Sequence, residues 1–194
     1  MRSKASIRAH TKALRRELSE RERATLDAKV VARAKTELDW ASLRRVMVYL
    51  PITDRHEIDT WPLVKWIWDV HPHIGVFAPV LAGDMIVPVR LQPTSRVEIS
   101  AWQIPEPAGG EILSPDDDLD LVLTPLLGFD DTGERVGFGG GYYDRFFAIH
   151  GAATRIGLAY EAMRVPERVA AEDHDMPVDA VVTELQTHRF SYSR

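Results

Sequence analysis

Apolar residues recur along this chain in two rhythms. Between residues 3 and 38, Ile7, Leu14 and Leu18 fall at spacings that share one helical face, as do Leu26, Val30 and Val31. Ser19 followed three residues later by Glu22 is a capping-box pattern, in which hydroxyl and carboxylate satisfy each other's backbone donors, so a second helix begins there. The rhythm then changes. RVMVYL (45–50) is a short β-branched run stopped by Pro51 and predicts a buried strand. TWPLVKWIWDV (60–70) predicts a helix with Pro62 in its first turn, where a missing N–H costs nothing. IGVFAPV (74–80), GDMIVPVRL (83–91), DLVLTPL (120–126), RIGLAY (155–160) and VDAVVT (178–183) predict further strands, and Pro88 puts the 83–91 segment at an edge or ends it early. YYDRFFAIH (142–150) predicts a helix, and the Pro-, Gly- and Asp-rich IPEPAGGEILSPDDDL (104–119) a loop.

Strands alternate with helices, and most strands are continuously apolar. This predicts an α/β fold: a three-layer α/β/α arrangement, a largely parallel sheet with helices on both faces and an N-terminal helical pair. With 194 residues, no internal repeat and no long linker, residues 1–194 are expected to form a single domain. In such sheets ligands bind beyond the carboxyl ends of the strands.

Composition narrows the chemistry. The chain has no cysteine, which excludes disulfides, thiolate catalysis and cysteine-ligated metal, and is compatible with the cytoplasm, the expected location. A formal net charge of −5 and no RNA or DNA motif argue against a nucleic-acid partner. The charged start MRSKASIRAHTKALRREL has no apolar signal core, and no run of about 18 apolar residues predicts a membrane span. A monomer is expected, with a homodimer the alternative.

One segment stands apart. In GERVGFGGGYYDRFF (133–147), Gly137 and the run Gly139, Gly140, Gly141 lie between a strand and a helix. Glycines there let the backbone approach a ligand closely and aim several N–H groups at one anion, with the helix dipole adding to the attraction. Arg135 and Arg145 would add positive charge. The segment matches neither GxxxxGK[ST] nor the full GxGxxG, so a phosphate cradle and a flexible turn both remain open on pattern alone.

The residues also carry a family resemblance. RVGFGGGYYDRF resembles the RLGYGGGYYDRF signature of the 5-formyltetrahydrofolate cyclo-ligase (methenyltetrahydrofolate synthetase) family. KASIR (4–8) resembles its KxxLR, HEIDT (56–60) its EVDT, and IPEP (104–107) its GIxEP. DLVLTPLLGFD (120–130), GLAYE (157–161) and HDMPVDAVVTE (174–184) follow in the family's order. The resemblance implies ATP-dependent cyclisation of 5-formyltetrahydrofolate to 5,10-methenyltetrahydrofolate, with ATP as co-substrate and Mg²⁺ as cofactor. It implies an ATP site of Lys4, Arg8, Arg135, Gly137, Gly139, Gly140, Gly141, Tyr142 and Tyr143. It implies folate contacts from Ile52, Glu57, Phe138, Gly139, Gly140, Gly141 and Tyr142, a catalytic pair Arg135 and Tyr143, and metal ligands Asp144 and Asp175.

Each assignment has a plainer counterpart. Lys4 and Arg8, four apart on one helical face, read otherwise as a solvated basic face, Glu57 as a loop charge, Asp144 as a first-turn acid and Asp175 as a turn residue. His71 and His73 read as loop histidines, Asp116–Asp118 as a solvated loop, Trp61, Trp66 and Trp68 as packing, and Trp102 as a candidate for the folate pocket. The sequence departs from the family pattern at Met163, where a glutamine is usual, at Ala170, at Met85–Val87, and mildly at Val136 and Phe138. Met163 and Val87 bear on the folate pocket. They leave an alternative: a paralogue that binds ATP but acts on another small molecule, or a non-catalytic binding module.

Overall fold

The computed structural model describes residues 2–114 and 117–191. In chain order the elements are α1 (Lys4–Glu17), α2 (Glu20–Glu37), β1 (Arg45–Val48), α3 (Trp61–Val70), β2 (Gly75–Ala82), β3 (Met85–Arg90), β4 (Val97–Ile99), β5 (Pro105–Pro107), β6 (Leu121–Pro125), β7 (Gly128–Phe129), β8 (Arg135–Val136), α4 (Tyr142–Ile149), β9 (Thr154–Leu158), β10 (Ala180–Val182) and β11 (Thr187–Arg189). A seven-stranded sheet runs β11-β10-β9-β6-β1-β2-β3. The strands from β10 to β2 are mutually parallel, while β3 and β11 are antiparallel edges. Pro88 therefore sits on an edge strand, where its missing donor breaks no ladder.

The strand period of two sorts the core between the sheet's faces. Val46, Val48, Leu121, Leu123, Ile156 and Leu158 pack with Val30, Val31 and Ala34 of α2 and Leu63, Val64 and Ile67 of α3. Met47, Val122 and Phe77 face the other way, onto Phe146 and Phe147 of α4. Helices thus cover both faces, and the three layers follow from alternation on nearly continuous apolar strands. The Ser19–Glu22 capping box forms, and α2 starts there.

Four features differ from the pattern-based expectation. The 104–119 segment is not all loop, because Pro105–Pro107 pairs with Val97–Ile99, a strand of only three residues that periodicity cannot register. Strand β11 was also absent from the prediction. So was the β7–β8 hairpin, whose turn is held by buried Asp130 accepting from Thr132 N at 2.8 Å and Glu134 N at 3.2 Å. Finally, α1 buries Ile7, Thr11 and Arg15, an i, i+4, i+8 stripe that is mostly polar, and leaves Leu14 and Leu18 only partly covered. The stripe lies over polar backbone: Thr11 donates to Leu127 O, and Arg15 Nη2 to Leu126 O at 3.0 Å. Of the acidic trio, Asp116 lies outside the described residues, and Asp117 pairs with Arg45 at 2.6 Å. The three tryptophans of α3 pack against the core, as expected.

Candidate active site

The chain passes from β1 to β2 on one side and later returns to β6 on the other side of β1. Between β1 and β6 the connections diverge, and a crevice must open at the carboxyl ends of these two strands. It does: a cavity of about 660 Å³ is walled by Tyr49 and Leu50 after β1 and by Pro125 at the end of β6. Every residue that the resemblance assigns to ATP, folate, catalysis or metal lines this one cavity. They arrive from α1, the 52–57 loop, the 135–144 segment and the 172–175 loop.

The glycine segment is held from both sides. Arg8 Nε donates to Gly137 O at 2.8 Å, and Arg145 Nη2 donates to Gly140 O at 2.9 Å. Gly139 (φ +105°) and Gly141 (φ +66°) adopt positive φ, and a Cβ on Gly140 would lie 2.7 Å from the Tyr142 ring. Among the described residues, the backbone N–H groups of Phe138 to Gly141 have no hydrogen-bond partner, and α4 begins immediately after them. A bare stretch of donors at a helix N-terminus binds anions. Gly139→Ala should cost about 1–3 kcal/mol of backbone strain and lower the melting temperature by roughly 2–12 °C. An unchanged melt would mean that the loop relaxes at no cost.

Four of the charges in the cavity form two ion pairs. Lys4 Nζ bonds Asp175 Oδ2, and Arg135 Nη2 bonds Asp144 Oδ1 at 2.7 Å. Met176 N also donates to Asp144 Oδ1, at 3.1 Å, so the two acids belong to one corner. Burial acts to raise the Asp175 carboxyl, but hydrogen bonds from Lys4 and Glu172 N, with the Lys4 charge, hold it below its usual value. Arg145 does not reach the cavity; it ties Gly140 O to Asp84 O and stacks on Tyr142, so it shapes the loop rather than adding charge inside.

Glu57 is buried, not a solvated loop charge. Its Oε2 accepts from Ile52 N at 2.9 Å, and burial pushes its carboxyl up to about 6 against the opposing pull of that bond, Arg15 and Arg55. Burial, with the Glu57 charge, raises the Tyr143 phenol, so it is a neutral donor near pH 7. Arg55 was missed in the sequence. It lines the cavity with its guanidinium 4.9 Å from the Phe138 ring centre, and an isolated loop arginine carries no pattern to betray it. Glu172 and His174 also line the wall, as does Trp102.

Comparison with known proteins agrees with this geometry. The model of the 5-formyltetrahydrofolate cyclo-ligase family matches residues 1–184. The chain belongs to this family. It is 31% identical over 162 residues to the 5-formyltetrahydrofolate cyclo-ligase of Escherichia coli K12, covering 76% of this chain and 88% of that protein. It is 25% identical over 193 residues to the Mus musculus enzyme of the same name, covering 94% of each. The NMR structure of Aquifex aeolicus 5,10-methenyltetrahydrofolate synthetase superposes with a TM-score of 0.82 at 32% identity, covering 98% of this chain and 94% of that one.

Membership gives meaning to the departures. Met163 is buried in the core, with its sulfur 3.9 Å from Arg15 Nη2, and does not line the cavity. Within the 85–87 element it is Ile86, not Val87, that forms the wall. Both changes lie outside the surface a ligand would touch.

Proposed function

We infer that this chain catalyses the ATP-dependent cyclisation of 5-formyltetrahydrofolate to 5,10-methenyltetrahydrofolate, releasing ADP and phosphate. The observation that carries the reading is the convergence, in one cavity at the sheet's switch point, of every residue that the resemblance assigns to ATP, folate, catalysis or metal, in a chain that belongs to this family. The alternative of a paralogue with another substrate loses its main support once Met163 and Val87 fall outside the cavity wall.

The chemistry explains the residues. An amide oxygen is a poor leaving group and phosphate a good one. The formyl oxygen attacks the γ-phosphorus and ADP departs; N10 then attacks the activated carbon, and phosphate leaves carrying the formyl oxygen, with loss of the N10 proton. Such transfer asks the protein mainly for positioning and charge neutralisation. The bare N–H groups of 138–141, with Lys4 and Arg8, bind the phosphates. Arg8 spends Nε on Gly137 O, leaving both Nη groups for ligand. Arg135, buried beside the loop, uses Nη2 on Asp144 and aims its remaining charge at the transferring phosphoryl group. Glu57 accepts hydrogen bonds from pterin donors, while Ile52, Phe138 and Tyr142 supply apolar and aromatic wall. Tyr143 donates from its neutral phenol.

The metal assignment fits the donor set. Among the described residues no group of three acidic or histidine side chains could hold a metal ion. Mg²⁺, however, needs few protein ligands, because it keeps waters and shares nucleotide phosphates. Asp144 Oδ2 and Asp175 Oδ1 carry no hydrogen bond among the described residues and are hard oxygens available to it. When bound, Mg²⁺ would neutralise phosphate charge; Lys4 and Arg135 compensate the two carboxylates otherwise. Residues 1–194 act as a single cyclo-ligase-like domain, an assignment supported by the continuous seven-stranded sheet. Cytoplasmic location, monomeric state and the lack of a nucleic-acid partner belong to the same reading. Among the described residues no helix is long and apolar enough to cross a membrane.

The test is direct. Purified protein given 5-formyltetrahydrofolate, ATP and Mg²⁺ should produce methenyltetrahydrofolate, followed by its absorbance, with one ADP per turnover. Asp144→Asn should raise the Mg²⁺ concentration for half-maximal rate by about tenfold, the loss of one charged ligand contact. ATP binding without any absorbance rise would transfer the reading to the paralogue.

A further inference from the structure

Beneath the cavity lies a cation that the proposed reaction does not use. Arg15, on the buried stripe of α1, is 2% exposed and has no carboxylate partner within salt-bridge distance among the described residues. Nη2 donates to Leu126 O at 3.0 Å, Nη1 reaches Arg55 O at 3.4 Å, and the Met163 sulfur lies 3.9 Å from Nη2. Nε is buried with no hydrogen-bond partner among the described residues. A buried guanidinium satisfied only by carbonyls is costly unless its field is used.

We propose that Arg15 is a positioning residue of the active site: it ties the phosphate-binding helix α1 to the 52–57 loop and to the turn after β6, and supplies from beneath the positive charge that Glu57 faces. Three segments that build the cavity meet at this one side chain. Lys4 and Arg8 lie on the same helix, Arg55 O is two residues from Glu57, and Leu126 O follows the cavity-lining Pro125.

The electrostatic part follows from the surroundings of Glu57. From its own loop it meets Ile52 N–H and the Arg55 charge, from α1 the Arg15 charge, and it interacts with Tyr49 at the end of β1 and Tyr143 of α4. Both phenols are held neutral by burial, so the two arginines are the cations opposing the cost of burying the carboxylate. Arg55 is exposed and screened by salt, whereas Arg15 is buried and screened much less. Arg15 in turn faces Tyr49, Glu57, Tyr160 and Asp27, and Tyr160 donates to Asp27 at 2.6 Å. Although burial lowers the Arg15 guanidinium, arginine remains charged.

This inference deepens the folate-binding reading of Glu57 and rests on it only for its catalytic consequence. The test is a ¹³C NMR titration of the Glu57 carboxyl in ligand-free protein, beside the pH profile of kcat/KM for 5-formyltetrahydrofolate. In wild type the midpoint is expected at about 6. In Arg15→Met it should rise by at least about half a pH unit, with the acid limb of the profile moving by the same amount. Arg15→Lys, which restores charge but not the fork of donors, should return the midpoint while leaving KM for the folate raised more than KM for ATP. If Arg15→Met does not fold, Arg15→Gln takes its place, because its amide still donates to a carbonyl. A folded neutral variant with an unmoved midpoint overturns the inference, since a merely structural arginine would lower stability without moving Glu57. A midpoint that moves in a protein inactive on 5-formyltetrahydrofolate overturns the functional reading and leaves the coupling standing.

Discussion

Arg135→Ala is expected to lower kcat by about a thousandfold while ATP binding changes by less than about tenfold. Removing a preorganised cation aimed at a transferring phosphoryl group costs about 3–4 kcal/mol of transition-state stabilisation, and a thousandfold is about 4 kcal/mol. Arg135 is well placed to show an effect of that size. It is nearly buried, delivered by the β7–β8 hairpin just before the glycine loop, and its Nη1 approaches the Cβ position of Gly137 at 3.5 Å. The same substitution strips Asp144 of its ion pair. Asp144 keeps the bond from Met176 N and some solvent access, so the stability cost stays at about 1–3 kcal/mol, or roughly 2–12 °C in melting temperature. Circular dichroism should therefore report a folded protein at 25 °C, and single-turnover rates should report the loss. A kcat within tenfold of wild type, in folded protein, would remove Arg135 from the reaction.

Glu57→Gln should give a protein that is more stable at pH 7 and poorer at binding substrate. Burial raises the folded-state carboxyl to about 6, above the 4.5 of a solvated glutamate. The folded state therefore prefers the protonated acid. That contribution to stability is complete below about pH 4.5 and is lost as pH rises through about 6. At pH 7 the loss amounts to about 2 kcal/mol, a shift of about 1.5 pH units at 1.36 kcal/mol each. The glutamine oxygen still accepts from Ile52 N, so the variant recovers most of this, roughly 4–8 °C. The advantage should vanish below about pH 4.5, where wild type carries the proton itself. Loss of charge-assisted hydrogen bonds to pterin should raise KM for 5-formyltetrahydrofolate by about 10- to 100-fold. In wild type the same KM should climb as pH falls below about 6. A variant less stable than wild type at pH 7 would show that the carboxylate is not strained in the fold.

Much of this molecule was legible because its signals are local. Strands β1, β6 and β9 are dense β-branched runs, the capping box sets the start of α2, and the glycine segment carries its chemistry in consecutive residues. Other features have no local signature. Arg145 looked like a phosphate ligand by proximity to the glycines, but its guanidinium turns away to carbonyls on the loop and on the β2–β3 turn. Glu57 was assigned to the folate site by resemblance alone, since its polar neighbours Asp54, Arg55 and His56 give no local sign of burial; the fold turns its carboxylate inward onto Ile52 N. In α1 the buried stripe keeps Ile7 but is rotated from the apolar positions Leu14 and Leu18 toward Thr11 and Arg15, because the helix rests on carbonyls at the end of β6. Periodicity reports hydrophobic partners and is blind to polar ones.

Taken alone, the sequence determined the α/β class, the central strands, the family and the motif residues that meet in the cavity, since each of these rests on side-chain order along a short stretch. Tertiary structure decided how those residues are charged and held: which carboxylate is paired, which is buried, which arginine faces the cavity and which braces it from below. Such properties depend on groups more than a hundred residues apart, such as Lys4 with Asp175 and Arg15 with Leu126. Only a folded chain brings them within hydrogen-bond distance, where desolvation and Coulomb attraction act.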